Sequence, residues 1–136
     1  MKSILLILAL MAGTIASAQN WLWANKAGGN TADIGNSIVT DENGNSYVTG
    51  QFTGTATFDT IQLTSAGNSD IFVAKYSPSG RILWARRAGS NGTRGDAGTH
   101  INLDPNGNIL VAGTFEKTVS FGGFNLTSSA YLDPFF

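Results

Sequence analysis

The chain repeats itself, and no other feature restricts its fold as strongly. Trp23-Ala24 followed by Ala27-Gly28 recurs 61 residues later as Trp84-Ala85 followed by Ala88-Gly89. From Asp33 onward the offset becomes 63, because the second copy has two extra residues in its 90–95 loop. At that offset Asp33, Gly35, Ile38, Asp41, Asn43-Gly44-Asn45, Val48, Gly50, Phe52, Thr55, Phe58, Leu63-Thr64-Ser65, Asp70 and Phe72 all meet the same residue, 17 identities in the 41 positions from Asp33 to Val73. A segment copied in tandem at this spacing is one supersecondary unit, which must stack on its neighbour to bury its faces.

Within a copy the period is that of strands. Tyr47, Thr49 and Gln51 fall on one face, and Ser46, Val48, Gly50 and Phe52 on the other; Val111, Gly113 and Phe115 repeat the second face. Asp41-Glu42-Asn43-Gly44-Asn45 follows Ile38-Val39-Thr40 as a hairpin turn, since Asn and Gly tolerate positive φ and Asp accepts turn amides. Ser77-Pro78-Ser79-Gly80 makes a second hairpin, between Asp70-to-Tyr76 and Arg81-to-Arg86. A copy therefore carries four main strands in about 62 residues, with a middle excursion from Thr53 to Gly67 expected to add a short ribbon. Composition agrees. Ser, Thr, Asn and Gly make up 55 of 136 residues, while Glu and Lys number two and four, which suits turns and short strands rather than helices.

The expected fold class is all-β: tandem four-stranded antiparallel repeats forming about two blades of an incomplete β-propeller. A β-sandwich and a β-solenoid are the alternatives. In the propeller, Gly50 and Gly113 are expected where backbones approach closely, and Phe52, Phe58 and Trp84 in the layers between blades. With these residues laid out, the chain resembles the bacterial β-propeller repeat family labelled SBBP. The likeness runs through Trp23-Ala24, Ala27-Gly28-Gly29, Asp33, Gly35, Ile38, the run from Asp41 to Gly50, the run from Phe52 to Phe58, and Asp70 to Tyr76. It implies a secreted or cell-surface protein of the kind found particularly in Bacteroidetes, with many blades and a C-terminal sorting domain. It implies no catalytic residues, since that family shares none. Nothing after Ser129 reads as a sorting domain.

Two departures from the repeat stand out. Asp70-Ile71-Phe72 becomes Asp133-Pro134-Phe135, and Pro134 has no amide to donate within a central strand. Phe136, the last residue, matches Val73, whereas Trp21-Leu22-Trp23-Ala24 matches the last strand of a copy with no copy before it. The expected organisation is a signal peptide at 1–18, a first repeat with a leading strand at 19–89, and a second, truncated repeat at 90–136, belonging to a longer protein.

The first stretch reads as an export signal. One positive charge at Lys2 precedes an apolar run from Ile4 to Ala12, too short for a bilayer span of about 20 residues, and Ala16-Ser17-Ala18 supplies the small residues of a cleavage site. Cleavage after Ala18 leaves 118 residues with a net charge of −2. The expected location is secreted or cell-surface, without membrane insertion after cleavage. That charge offers no field for nucleic acid, and zero Cys removes disulfides, thiolate metal sites and Cys nucleophiles.

Residues with chemistry are few. His100, the only His, aligns with Ser37 and belongs to no repeated site. The turns offer weak Ca²⁺ candidates at Asp41, Asn43 and Asn45 and at Asp104, Asn106 and Asn108, but Gly stands fourth rather than sixth and Phe52 and Phe115 occupy the twelfth positions, so turn geometry is the better account. Asp33 and Asp96 are expected to anchor a loop. Asp59 and Glu116 are copy-specific acids with no partner for a paired-carboxylate site. Arg81, Arg86, Arg87 and Arg94 form a basic cluster read as solvated strand ends, and Tyr47, Tyr76 and Trp21 are candidates for a glycan surface, with packing the leading account. The expected function is non-catalytic binding or scaffolding, with no catalytic residues and no cofactor, toward an unidentified protein or glycan, and with a tendency to self-associate. The alternative is a carbohydrate-binding adhesin or a propeller enzyme whose functional residues lie in other blades.

Overall fold

The computed structural model describes residues 20–129 and 131–136, so the expected signal peptide at 1–18 lies outside the described residues. Every regular element among the described residues is a strand: β1 (Ala27–Gly28), β2 (Asp33–Thr40), β3 (Ser46–Phe58), β4 (Ile61–Tyr76), β5 (Ile82–Ala88), β6 (Ala97–Leu103), β7 (Ile109–Phe115), β8 (Thr118–Phe121), β9 (Phe124–Thr127) and β10 (Asp133–Phe135). All pairings are antiparallel. In the first copy β2, β3, β4 and β5 form a four-stranded meander, and β1 adds to the far end of β3 through Ala27 opposite Phe58. The second copy repeats the start of this meander as β6, β7 and β10. These are the expected β-propeller blades, stacked face to face.

Both faces of the first sheet carry apolar residues, as stacking requires. Phe52, Phe58, Phe72, Ala74, Tyr76 and Ile82 bury on one face, with Trp23 laid against them. Ile71 and Ala88 bury on the other, against Phe115, Val119 and Phe135 of the second copy. The packing itself is duplicated: Phe58 lies 4.9 Å from Phe72, and their counterparts Phe121 and Phe135 lie 4.8 Å apart. Offset aromatic pairs at this distance add to the free energy of area burial.

Gly50 is opposite Gly35, and a Cβ there would sit 1.9 Å from the Ile34 carbonyl and 2.8 Å from the Phe72 ring; Gly113 repeats this with Ala97 and Phe135. The close approach lies inside each sheet. The missing side chain makes room for the ring on the next strand.

Two expectations change, and the ribbon expected from Thr53 to Gly67 takes different forms in the two copies. In the first copy β3 and β4 run on together to Phe58 and Ile61, through a register shift between Thr53 and Thr55 where Gly54 has φ +66°. In the second copy it is the separate hairpin of β8 and β9, and Lys117 adopts φ +57° at the position of Gly54. Trp84 is half-buried on the face that carries Tyr47 and Thr49, edge-on to Tyr47 at 6.3 Å. The leading segment Trp21 to Ala24 is not a strand, because no strand among the described residues lies alongside it; Trp23 stacks on Tyr76 at 6.1 Å. Pro134 is nevertheless in a strand, opposite Thr114, since β10 is an edge and its other side needs no donor.

Candidate functional site

Three acidic positions recur in both copies, and all three accept backbone amides. Asp33 takes the Gly29 amide at 2.7 Å on Oδ2 and the Thr53 amide at 3.3 Å on Oδ1. Asp96 takes the matching amides, Ser90 at 2.5 Å and Glu116 at 2.7 Å, and is fully buried. Each carboxylate ties the segment between blades to the point where the second strand leaves the regular sheet. The expected loop anchors are therefore in place.

The candidate Ca²⁺ residues form the hairpin turns. Asp41 Oδ1 accepts the amides of Asn43 at 3.0 Å and Asn45 at 2.8 Å, while Oδ2 accepts Asn45 Nδ2 at 2.8 Å and Tyr47 OH at 3.1 Å. Asp104 takes Asn106, Asn108 and Asn108 Nδ2 in the same way. The side-chain bond from Asn45 leads in holding the Asp41 carboxyl below its ordinary value, and Asn108 does the same for Asp104. The carboxylate oxygens face N–H and O–H hydrogens, a donor environment that repels a cation.

The third position opens the return strand. Asp70 Oδ2 accepts the Ala66 amide at 2.9 Å and pairs with Arg87 at 2.6 Å, and Asp133 accepts Ser129 in the equivalent way at 2.8 Å. Asp70 is fully buried, its Oδ1 has no hydrogen-bond partner among the described residues, and a Cβ on Gly89 would lie 2.1 Å from its Cγ. Gly89, repeated from Gly28, is the sequence trace of this enclosure. The Arg87 pairing leaves none, because it depends on β4 and β5 lying side by side.

Of the remaining candidates, Arg86, Arg87 and His100 line one groove. Arg87 is spent on Asp70, Arg86 donates to the Ala85 carbonyl at 3.2 Å, and Arg94 stacks over the Tyr131 ring at 4.3 Å. Tyr47 and Tyr76 are buried, so of the three aromatic candidates Trp21 alone is exposed. Burial pushes the Tyr76 hydroxyl up, with the Asp59 charge adding to the effect. His100 is exposed, with Nδ1 3.1 Å from Thr99 Oγ1. Glu116 is buried and accepts the Arg94 amide at 2.8 Å, so this copy-specific acid braces the longer 90–95 loop.

That loop also joins the blades. Asn68 donates its amide to Gly92 at 3.0 Å and its side chain to Thr93 at 3.0 Å, and the Asp96 amide donates to Ser69 at 2.8 Å. Outward from this seam a groove of about 990 Å³ opens between the sheets, lined by Ile71, Val73, Ile101, Val111, Phe124 and Phe136. Its lining is mainly apolar, with Arg86, Arg87, His100 and Asn102 also on it. A largely apolar surface of this kind binds by burial.

Residues 22–51 match the family model described as a beta-propeller repeat, SBBP. Over 105 residues the chain is 30% identical to an uncharacterized WD repeat-containing protein of Acanthamoeba polyphaga mimivirus, a match covering 72% of this chain. The chain spans 7% of the length of that relative. The duplicated meander, the stacked faces and the matched repeat make this an all-β chain of β-propeller blades.

Proposed function

We propose that this chain is an exported β-propeller repeat protein that binds or scaffolds without catalysis. One observation carries the reading: all three acidic positions shared by the copies fasten backbone amides, so what the repeat preserves is shape. A preserved shape with an apolar interblade groove suits recognition of a protein or glycan. The apolar run before Ala16-Ser17-Ala18 supports export and a secreted or cell-surface location.

Two measurements test it. Expressed with its own leader in a bacterial host, the chain should be recovered outside the cytoplasm with Gln19 as its first residue; a cytoplasmic product retaining Met1 would sink the export reading. The processed chain should be retained on a glycan or protein array without converting what it binds. Turnover of a glycan or ester substrate would reverse the non-catalytic assignment.

A further inference from the structure

Asn is followed by Gly three times in the sequence, at Asn43-Gly44, Asn91-Gly92 and Asn106-Gly107. With no Cβ in the way, a glycine nitrogen can close on the side-chain amide of the asparagine before it. The structure treats the three pairs differently. In the hairpin turns a backbone carbonyl holds the glycine amide, Gly44 on Asp41 and Gly107 on Asp104, each at 2.9 Å. Gly92 donates instead to a hydroxyl, Ser90 Oγ, at 3.2 Å.

The other end of the Asn91–Gly92 peptide group is also distinct. Lys117 Nζ donates to the Asn91 carbonyl at 3.3 Å, whereas the carbonyls of Asn43 and Asn106 accept no cationic side chain among the described residues. An ammonium on a peptide oxygen stabilises negative charge shared between that oxygen and the adjoining nitrogen, so it favours loss of the amide proton and makes the nitrogen a nucleophile. The side chain to be attacked is exposed. A Cβ on Gly92 would lie 2.3 Å from Glu116 Oε2 and 3.0 Å from Ser90 Oγ, so glycine is the residue that fits between them. The first copy repeats none of this: Ser90, Glu116 and Lys117 stand where it has Gly29, Thr53 and Gly54, and its loop is two residues shorter. Lys117 keeps a left-handed backbone, φ +57°, to stand there, and strain retained at one position points to use of the side chain it carries.

We propose that Asn91-Gly92 is a self-modification site, converted to aspartyl and isoaspartyl forms with the help of Lys117 and Ser90. The Gly92 nitrogen bonds to Asn91 Cγ as its proton leaves by way of Ser90 Oγ to water. The Cγ–Nδ2 bond breaks, ammonia departs with a proton from water, and the cyclic imide takes up a water molecule to open as aspartate or isoaspartate. The product places a negative charge near the buried Glu116, and the isoaspartyl form adds a methylene to the backbone of the loop that Asn68 holds through Gly92 and Thr93. Conversion therefore loosens the seam between the blades. This inference goes beyond the binding role and stands without it.

Peptide mapping by mass spectrometry tests the proposal on the full chain, sampled during incubation at mildly alkaline pH with Asn43 and Asn106 as internal references. In the folded chain Asn91 should convert about ten-fold or more faster than either, and in urea the three rates should converge. Lys117→Gln should slow Asn91 about ten-fold, and Lys117→Arg should restore most of the rate. Lys117 is exposed, so circular dichroism should show both variants folded. A lysine that only braced the loop would, on removal, free the loop and speed Asn91. That result, or equal rates at the three sites in the folded chain, would overturn the proposal.

Discussion

Removing the Asp96 carboxylate tests most directly whether the repeated acids hold the blades in shape. Its two oxygens accept the Glu116 amide at 2.7 Å and the Ser90 amide at 2.5 Å, with the side chain fully buried. Hydrogen bonds to a charged acceptor contribute about 1.5–3 kcal/mol each, and Asp96→Ala leaves both donors buried without a partner, so the loss should be about 3–5 kcal/mol. Asp33 makes the same two bonds half-buried, one of them stretched to 3.3 Å. Water can replace that carboxylate, and Asp33→Ala should cost only about 1 kcal/mol. Urea unfolding followed by tryptophan fluorescence separates the two. With a slope of about 2 kcal/mol per molar urea, Asp96→Ala should lower the midpoint by about 2 M and Asp33→Ala by about 0.5 M. Asp96→Asn, which keeps one acceptor oxygen, should fall between. Equal midpoint shifts for the two alanine variants would refute the reasoning, since burial would then not set the strength of the fastening.

Lys117 holds a left-handed backbone conformation at the position where the first copy has Gly54, so Lys117→Gly should raise stability by up to about 1 kcal/mol, read as a higher melting temperature. Gly50→Ala should cost about 2–3 kcal/mol in chemical denaturation, because neither the Ile34 carbonyl nor the Phe72 ring can withdraw without breaking a strand pair or a ring contact. Asp41 and Asp104 titrate below their ordinary value of 3.8, so their contribution to stability is complete above that pH and is lost as the pH falls through the depressed folded value. Carbon-detected NMR should show the Asp41 midpoint moving up in Asn45→Ala; an unmoved midpoint would contradict the assigned hydrogen bond.

The blade was legible because its information is local and stated twice. The Asp41 and Asp104 turns, the Gly50 and Gly113 approaches and the alternation through Val48 and Phe52 each need only a few residues of context. What escaped depends on which strands lie together. Both faces of a stacked sheet are apolar, so alternation divides Tyr47 and Thr49 from Val48 and Phe52 without saying what covers either set. That is why packing and a glycan surface were both open for Tyr47 and Tyr76, of which packing holds: both are buried, and Tyr47 meets Trp84 edge-on. The Asp70–Arg87 pair spans 17 residues and two strands, so only the pairing of β4 with β5 reveals it. The excursion differs between copies although its threonines agree: Thr55 with Thr64 at 3.1 Å and Thr118 with Thr127 at 2.9 Å are the same cross-strand pair. What sets the two apart is how the backbone turns at Gly54 and at Lys117.

The three carboxylate fasteners have a consequence for how such a chain grows. Each is satisfied by amides no more than 20 residues away, and in the first copy all three accept one from a neighbour four residues off. A duplicated stretch of gene therefore carries its own fastenings, and no residue elsewhere has to change for the new copy to hold its form. Neighbouring copies can then differ at the faces that meet, where Ile71 is matched by Pro134 and Thr49 by Ala112, while Phe52, Phe58 and Phe72 keep their counterparts Phe115, Phe121 and Phe135.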